Sequence, residues 1–100
     1  MGALRKPSTA LLGVTADFDS SADVLYLTLG SPRPDEVADQ IDDILLRVGI
    51  DDDEPSGVTV LGYRADGWPQ HSEKLATIAA AHLLTDSGSI LKAIAIATKS

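Results

Sequence analysis

Ile44-Leu45-Leu46-Arg47-Val48-Gly49-Ile50-Asp51 alternates without a break: Ile44, Leu46, Val48 and Ile50 fall on one side, Leu45, Arg47, Gly49 and Asp51 on the other. A period of two marks a strand half buried against a core. Turn chemistry flanks it on both sides, with Asp42-Asp43 before and Asp51-Asp52-Asp53-Glu54-Pro55-Ser56-Gly57 after. The expectation is a central strand with Leu46 facing the core. Upstream, Leu12, Val14, Ala16 and Phe18 alternate with Gly13, Thr15, Asp17 and Asp19, and Val24-Leu25-Tyr26-Leu27-Thr28-Leu29 is rich in β-formers. The intervening Asp19-Ser20-Ser21-Ala22-Asp23 makes this pair a hairpin. Gly30-Ser31-Pro32-Arg33-Pro34 stops the second strand, because proline lacks an N–H and restricts the residue before it. Val37 to Ile41 reads as a short edge strand at most, broken at Asp42-Asp43. Downstream, Val58-Thr59-Val60-Leu61 is a further strand ending near Gly62-Tyr63. The connections are too short for parallel crossovers. The reading is a four-stranded antiparallel sheet over residues 11–63.

The period then changes. Pro69 suits a first helical turn, where its missing N–H costs nothing. Leu75, Ile78, Ala79, His82 and Leu83 follow at i, i+3, i+4, i+7 and i+8, one apolar stripe on a helix. Ser72 is placed to cap it, and Asp86-Ser87-Gly88 is read as its end. From Ser89 to Ala97 the residues fit a helix or a strand, and alanine at 93, 95 and 97 favours helix. Strands first and helices after give an α+β domain, its sheet covered by one or two C-terminal helices over residues 69–98.

At 100 residues with 44% hydrophobic content, the chain supports one core. It has no cysteine, which excludes a disulfide scaffold or thiolate metal site and fits a reducing, cytoplasmic setting. A net charge of −7 argues against nucleic acid as a partner. No apolar run reaches the ~20 residues of a membrane helix, and Arg5-Lys6-Pro7 makes a poor signal peptide. Charge is uneven: Asp35 to Glu54 holds nine acidic residues against Arg47 alone, whereas Gly67 onward holds two acidic and three basic residues. The acidic run suits solvated turns, where Asp bonds its own backbone, or a surface for a basic partner.

Phe18-Asp19-Ser20-Ser21-Ala22-Asp23-Val24-Leu25-Tyr26-Leu27 resembles the opening of DUF2283, a family of small bacterial proteins of unknown function. That family opens with an aromatic-Asp-x-x-x-Asp-x-Leu-Tyr-aliphatic pattern. Ile44 to Asp51, the acidic loop and Gly57-Val58-Thr59-Val60-Leu61 are similar to its later part, so the resemblance spans residues 14–63. Thr59 stands where the family usually carries an acidic residue, and Asp53-Glu54-Pro55 replaces a tighter Asp/Glu-Gly turn. The resemblance implies a small bacterial β-rich domain and names no activity.

Candidate chemistry is sparse. Asp19 and Asp23 flank the first turn, Tyr26 follows, and His82 lies on the helical stripe. Together they would make a carboxylate pair with a phenol and an imidazole; separately they are an Asp turn, a rim tyrosine and a core-edge histidine with a backbone partner. Asp17 and Asp19 share a strand face, but such a pair needs more ligands to hold Mg²⁺. The Asp51 loop fails the calcium-loop spacing, with Ser56 where Gly belongs and Gly62 where Glu belongs. His71 and His82 show no HExxH spacing, and no nucleophile elbow or nucleotide fingerprint occurs. No metal or cofactor is implied. Trp68 either plugs the sheet–helix junction or anchors an interface.

The sequence therefore favours a non-enzymatic interaction module. It is expected to form a homodimer through apolar surface in the C-terminal third, with Trp68, Leu84, Leu91 and Ile94 at the interface. Two alternatives stand beside it. One is a small ligand-binding or enzymatic domain using Asp19, Asp23, Tyr26 and His82. The other is an antitoxin-like partner of a basic protein.

Overall fold

A computed structural model describes residues 13–99. Five strands, β1 (Val14–Asp19), β2 (Val24–Leu29), β3 (Asp35–Ile41), β4 (Ile44–Gly49) and β5 (Pro55–Leu61), form one sheet in the order β1-β2-β5-β4-β3. Every pairing is antiparallel. A short 3-10 helix (Trp68–His71) leads into α1 (Ser72–Leu83), and α2 (Ser87–Thr98) follows. The α+β class and the two C-terminal helices match the sequence reading. Leu11 and Leu12 lie outside the described residues.

The sheet has five strands rather than four. Asp42-Asp43 does not break the chain; it closes a two-residue hairpin loop, with Ile41 opposite Ile44. Asp42 takes φ +52°, a left-handed conformation that Asp tolerates better than most residues. The fifth strand is β3, the short edge strand read over Val37 to Ile41, which starts two residues earlier and is exposed from Glu36 to Ile41, so burial leaves little pattern on it. Its acidic side chains suit an edge that must not recruit other strands.

The sheet joins a β1–β2 hairpin to a β3-β4-β5 meander. β5 is therefore the central strand, not β4, and Leu46 is half buried rather than sealed in the core. Ile50 falls in the following turn and is 54% exposed. Between β2 and β3 the chain crosses three strand spacings of ~4.8 Å each. Six extended residue steps of ~3.3 Å span about 20 Å, so a mostly extended path covers the ~14 Å, and Pro32 and Pro34 favour that path.

Alternation assigns the two faces. Leu25, Leu27, Leu29, Ile44, Val58 and Val60 point inward and are buried under the helices. Leu75, Ala76, Ala79 and Leu83 of α1 and Ile90 and Ile94 of α2 close the core. α2 packs mainly on β1, and α1 mainly on α2 and β5. The Asp86 segment does not terminate α1. Leu84, at φ +58°, ends α1, while Asp86 caps α2 by accepting from Ser89 N at 2.9 Å. Ser72 opens α1 as a helical residue, with no side-chain cap on the helix start.

Candidate functional site

The four residues Asp19, Asp23, Tyr26 and His82 do not converge. Asp19 Oδ1 accepts from Ser21 N (3.0 Å), Ser21 Oγ (2.7 Å) and Ala22 N (3.2 Å), an Asx turn that holds its carboxyl below the usual range. Asp23 accepts from Ala65 N (2.9 Å) and Arg64 N (2.8 Å), fastening the segment after β5 to the first hairpin; these bonds likewise depress its pKa. Tyr26 lies on the outer sheet face, 42% exposed. His82 lies on the inner side, its Nε2–H donating to the Arg47 carbonyl at 2.7 Å. The sheet stands between the tyrosine and the histidine, so no shared cavity exists for them.

Nor do the four expected interface residues form one surface. Trp68 and Ile94 are core residues at 7% and 4% exposure, and Leu91 packs half-buried against the same cluster. Only Leu84 is open, at 56%. Trp68 fills the sheet–helix junction, the Lys74 ammonium 5.9 Å above its ring, and its Nε1–H has no partner among the described residues.

A constellation that pattern reading missed lies on the outer face. Arg47 of β4 donates through Nε (3.0 Å) and Nη2 to Asp35 Oδ1, and Ser56 Oγ donates to Asp35 Oδ2 at 2.8 Å. The Arg47 guanidinium pulls the Asp35 carboxyl below its ordinary range, and the carboxylate raises Arg47 in turn. Arg33, on the crossing segment, pairs with Asp52 and reaches the Glu54 and Pro55 carbonyls at 3.2 Å. Both arginines flank a concavity of about 280 Å³, with Tyr26, Thr28 and Thr59 among its walls. Gly57 is part of its lining, and a Cβ there would lie 2.6 Å from the Leu27 carbonyl oxygen. Its charged groups are already paired, Arg47 with Asp35 and Arg33 with Asp52, so it works as a clasp tying the crossing segment to the β4–β5 end and bracing β3 against β4. Its only sequence signal is Arg47, the lone base of the acidic stretch.

The inner face carries a different feature. Above β3 and the middle of β4 lies a groove of about 450 Å³, lined by Ile41, Leu46, Thr77, Ile78, Ala81 and His82. Its floor and helix wall are mostly apolar, and Ile41 is 39% exposed. Register places Asp39 opposite Leu46 and Glu36 opposite Val48, so both carboxylates lie on the inner side of β3, Asp39 beside the groove's Leu46 and Glu36 further along the strand. On the other wall, α1 bears no carboxylate from Lys74 to Leu83.

Two further acidic groups are engaged, one with the backbone and one with a second carboxyl. Asp52 Oδ1 accepts from Glu54 N at 2.9 Å, and Asp53 takes φ +57° in the same turn. Asp66 is raised by Asp43, whose carboxyl hydrogen-bonds it and whose charge opposes its ionisation. Among the described residues no group of three or more His, Asp or Glu side chains is placed to hold a metal, and no helix is long and apolar enough to cross a membrane. Comparisons with protein-family models, with curated proteins and with solved structures return no match.

Proposed function

We propose that the chain is a non-enzymatic interaction module that holds a protein partner in the groove between β3 and α1. The supporting observation is the acid-rimmed apolar strip of Ile41, Leu46, Ile78 and Ala81, open where the helices close the rest of the inner face. Apolar surface grouped in a groove and rimmed by polar residues is characteristic of association sites. The outer concavity is a weaker basis for function, because its arginines are engaged by Asp35, Asp52 and backbone carbonyls. This reading keeps the partner protein rather than nucleic acid or membrane, and the setting the bacterial cytoplasm. It includes the antitoxin-like case, in which the acidic stretch meets a basic protein. Kinship with DUF2283 belongs to the same proposal, supported by the hairpin into which Phe18–Leu27 folds.

A second reading is the homodimer. Ile96, 68% exposed on α2, lines a shallow concavity of about 210 Å³ with Val14 and Ala16 of edge strand β1. Two such edges would meet in an isologous contact. Sedimentation equilibrium of the wild type and Ile96→Glu tests it: a dimer abolished by the substitution supports it, and a 10.5 kDa species at all concentrations rejects it.

The module itself is tested by site-specific photocrosslinking in the cells that express the chain. A photoreactive phenylalanine analogue at position 78 is expected to give a discrete protein adduct, and the same probe at position 26 none. No adduct from 78, or adducts from 26 alone, would take the function away from the groove.

A further inference from the structure

The two helices sit two strands apart on the sheet. α2 packs on β1, and α1 packs on β5, two strands along. Two strand spacings are ~9.6 Å, which matches the 8–10 Å axial distance of packed helices. The same step onward from α1 lands on β3, and that is where the groove opens.

Charge selects what fits there. The floor offers Ile41 and Leu46, and the α1 wall offers Ile78 and Ala81 with no carboxylate beside them. The β3 rim offers Glu36 and Asp39, beside the run of Asp35 to Glu54 in which Arg47 is the only base. Arg47 is turned to the outer face and held by Asp35, so it does not neutralise this rim. A second copy is a poor occupant of this groove, because a symmetric contact centred on it would bring two copies of the acidic stretch Asp35 to Glu54 together. Resting on the interaction-module reading, we infer that the groove receives an amphipathic α-helix of a partner protein, docked beside α1 as a third helix. Its apolar stripe meets Ile41, Leu46, Ile78 and Ala81. Lys or Arg residues flank that stripe on one side only, facing Glu36 and Asp39. This is helix-in-groove recognition, with contacts spaced i, i+3, i+4 and i+7, and rim charge setting orientation and association rate more than contact energy.

The test uses the full chain, isotopically labelled, and three synthetic 18-residue helical peptides. All share one Leu/Ala stripe; the first has Lys on one flank, the second Glu on that flank, and the third Lys on both. The expected result is shifts at Ile41, Leu46 and Ile78 with the one-flank Lys peptide and at least tenfold weaker binding of the Glu peptide. The chain carrying Glu36→Lys and Asp39→Lys, both exposed positions that spare the core, should reverse that preference. Ile78→Glu should abolish binding with the amide spectrum of the sheet retained. Equal binding of Lys and Glu peptides, or shifts confined to Tyr26 and Thr59, would overturn the inference. So would tenfold tighter peptide binding after removal of residues 1–12, which would make the chain's own first segment the occupant. No binding at millimolar peptide to a folded chain would also overturn it. If the position-78 crosslink still forms in that case, the module reading stands and only the helical, basic partner falls.

Discussion

Ile44 and Leu46 sit two residues apart on the same face of β4, yet one is fully buried and the other half buried. Truncating each to alanine therefore measures how far the helical cover extends. Ile44 belongs to the core cluster and has 0% exposure. Removing its outer carbons forfeits transfer energy and leaves a cavity that α1 and β5 cannot fill, so Ile44→Ala should cost about 3–4 kcal/mol. Leu46 opens onto the groove. Full burial of a leucine is worth about 1.5–3 kcal/mol; with half of it buried and water free to enter, Leu46→Ala should cost about 1 kcal/mol. Leu46→Asp adds the poor strand propensity of Asp, up to about 1 kcal/mol. It also adds repulsion from Asp39 directly across the ladder, a few tenths of a kcal/mol. That totals about 2 kcal/mol, which a domain holding about 5–15 kcal/mol survives. Urea titration followed by far-ultraviolet circular dichroism reads these values. With a slope of about 1–1.5 kcal/mol/M, Ile44→Ala should lower the midpoint by about 2–4 M and Leu46→Ala by about 1 M or less. Equal midpoints for the two alanine variants, or a Leu46→Asp chain that does not fold, would refute an open groove above β4.

Other outcomes follow from the outer face and the turns. Asp35→Asn should cost about 1–3 kcal/mol, since the part-buried Arg47 guanidinium loses its ionic acceptor, and the loss should shrink in high salt. Gly57→Ala should be costlier than an ordinary strand Gly→Ala exchange, because the added methyl meets the Leu27 carbonyl at 2.6 Å and the β2–β5 ladder must part; a neutral melting temperature would contradict this. Acidification should act in two stages. Asp66 is raised by Asp43, so the folded state binds that proton more readily than the unfolded chain, and stability should rise as pH falls from 7 toward about 4. Asp35, Asp52 and Asp86 are lowered, so their contribution is complete above about pH 4 and lost as pH falls through their depressed values. Asp43→Asn should remove the first stage and spare the second, as read from urea midpoints between pH 3 and 7.

What the sequence discloses and what it withholds have physical causes. The β1–β2 hairpin and β4 are legible because one of their faces is buried, so apolar residues recur with period two. β3 is legible only as a short edge strand over Val37 to Ile41, because its side chains stay exposed from Glu36 to Ile41 and Asp-Glu-Val-Ala-Asp-Gln-Ile contains few β-formers; its pairing comes from the β4 ladder. Strand order is hidden, since alternation reports faces but not neighbours, and the central place of β5 depends on where the Pro32–Pro34 crossing delivers the chain. The Arg47–Asp35–Ser56 clasp spans separations of 12 and 21 residues, beyond any local motif. Trp68 takes the sheet–helix junction that the sequence offers beside an interface, and Ile94, placed by the sequence at a C-terminal interface, joins the core that the two helices form on the sheet. A five-stranded sheet is wide enough to bury both, and the apolar excess reappears at its far end as the groove. His82 is legible as a core-edge histidine with a backbone partner, although the Arg47 carbonyl could be named only from the fold.

The most direct measurement is a set of intermolecular methyl Overhauser contacts between the labelled chain and the one-flank Lys helix. The account predicts contacts from the peptide's leucine methyls to Ile41, Leu46 and Ile78, with its lysines nearest Glu36 and Asp39. Contacts to Tyr26 and Thr59 on the outer face, or to Leu84 and Ile96 instead, would contradict it.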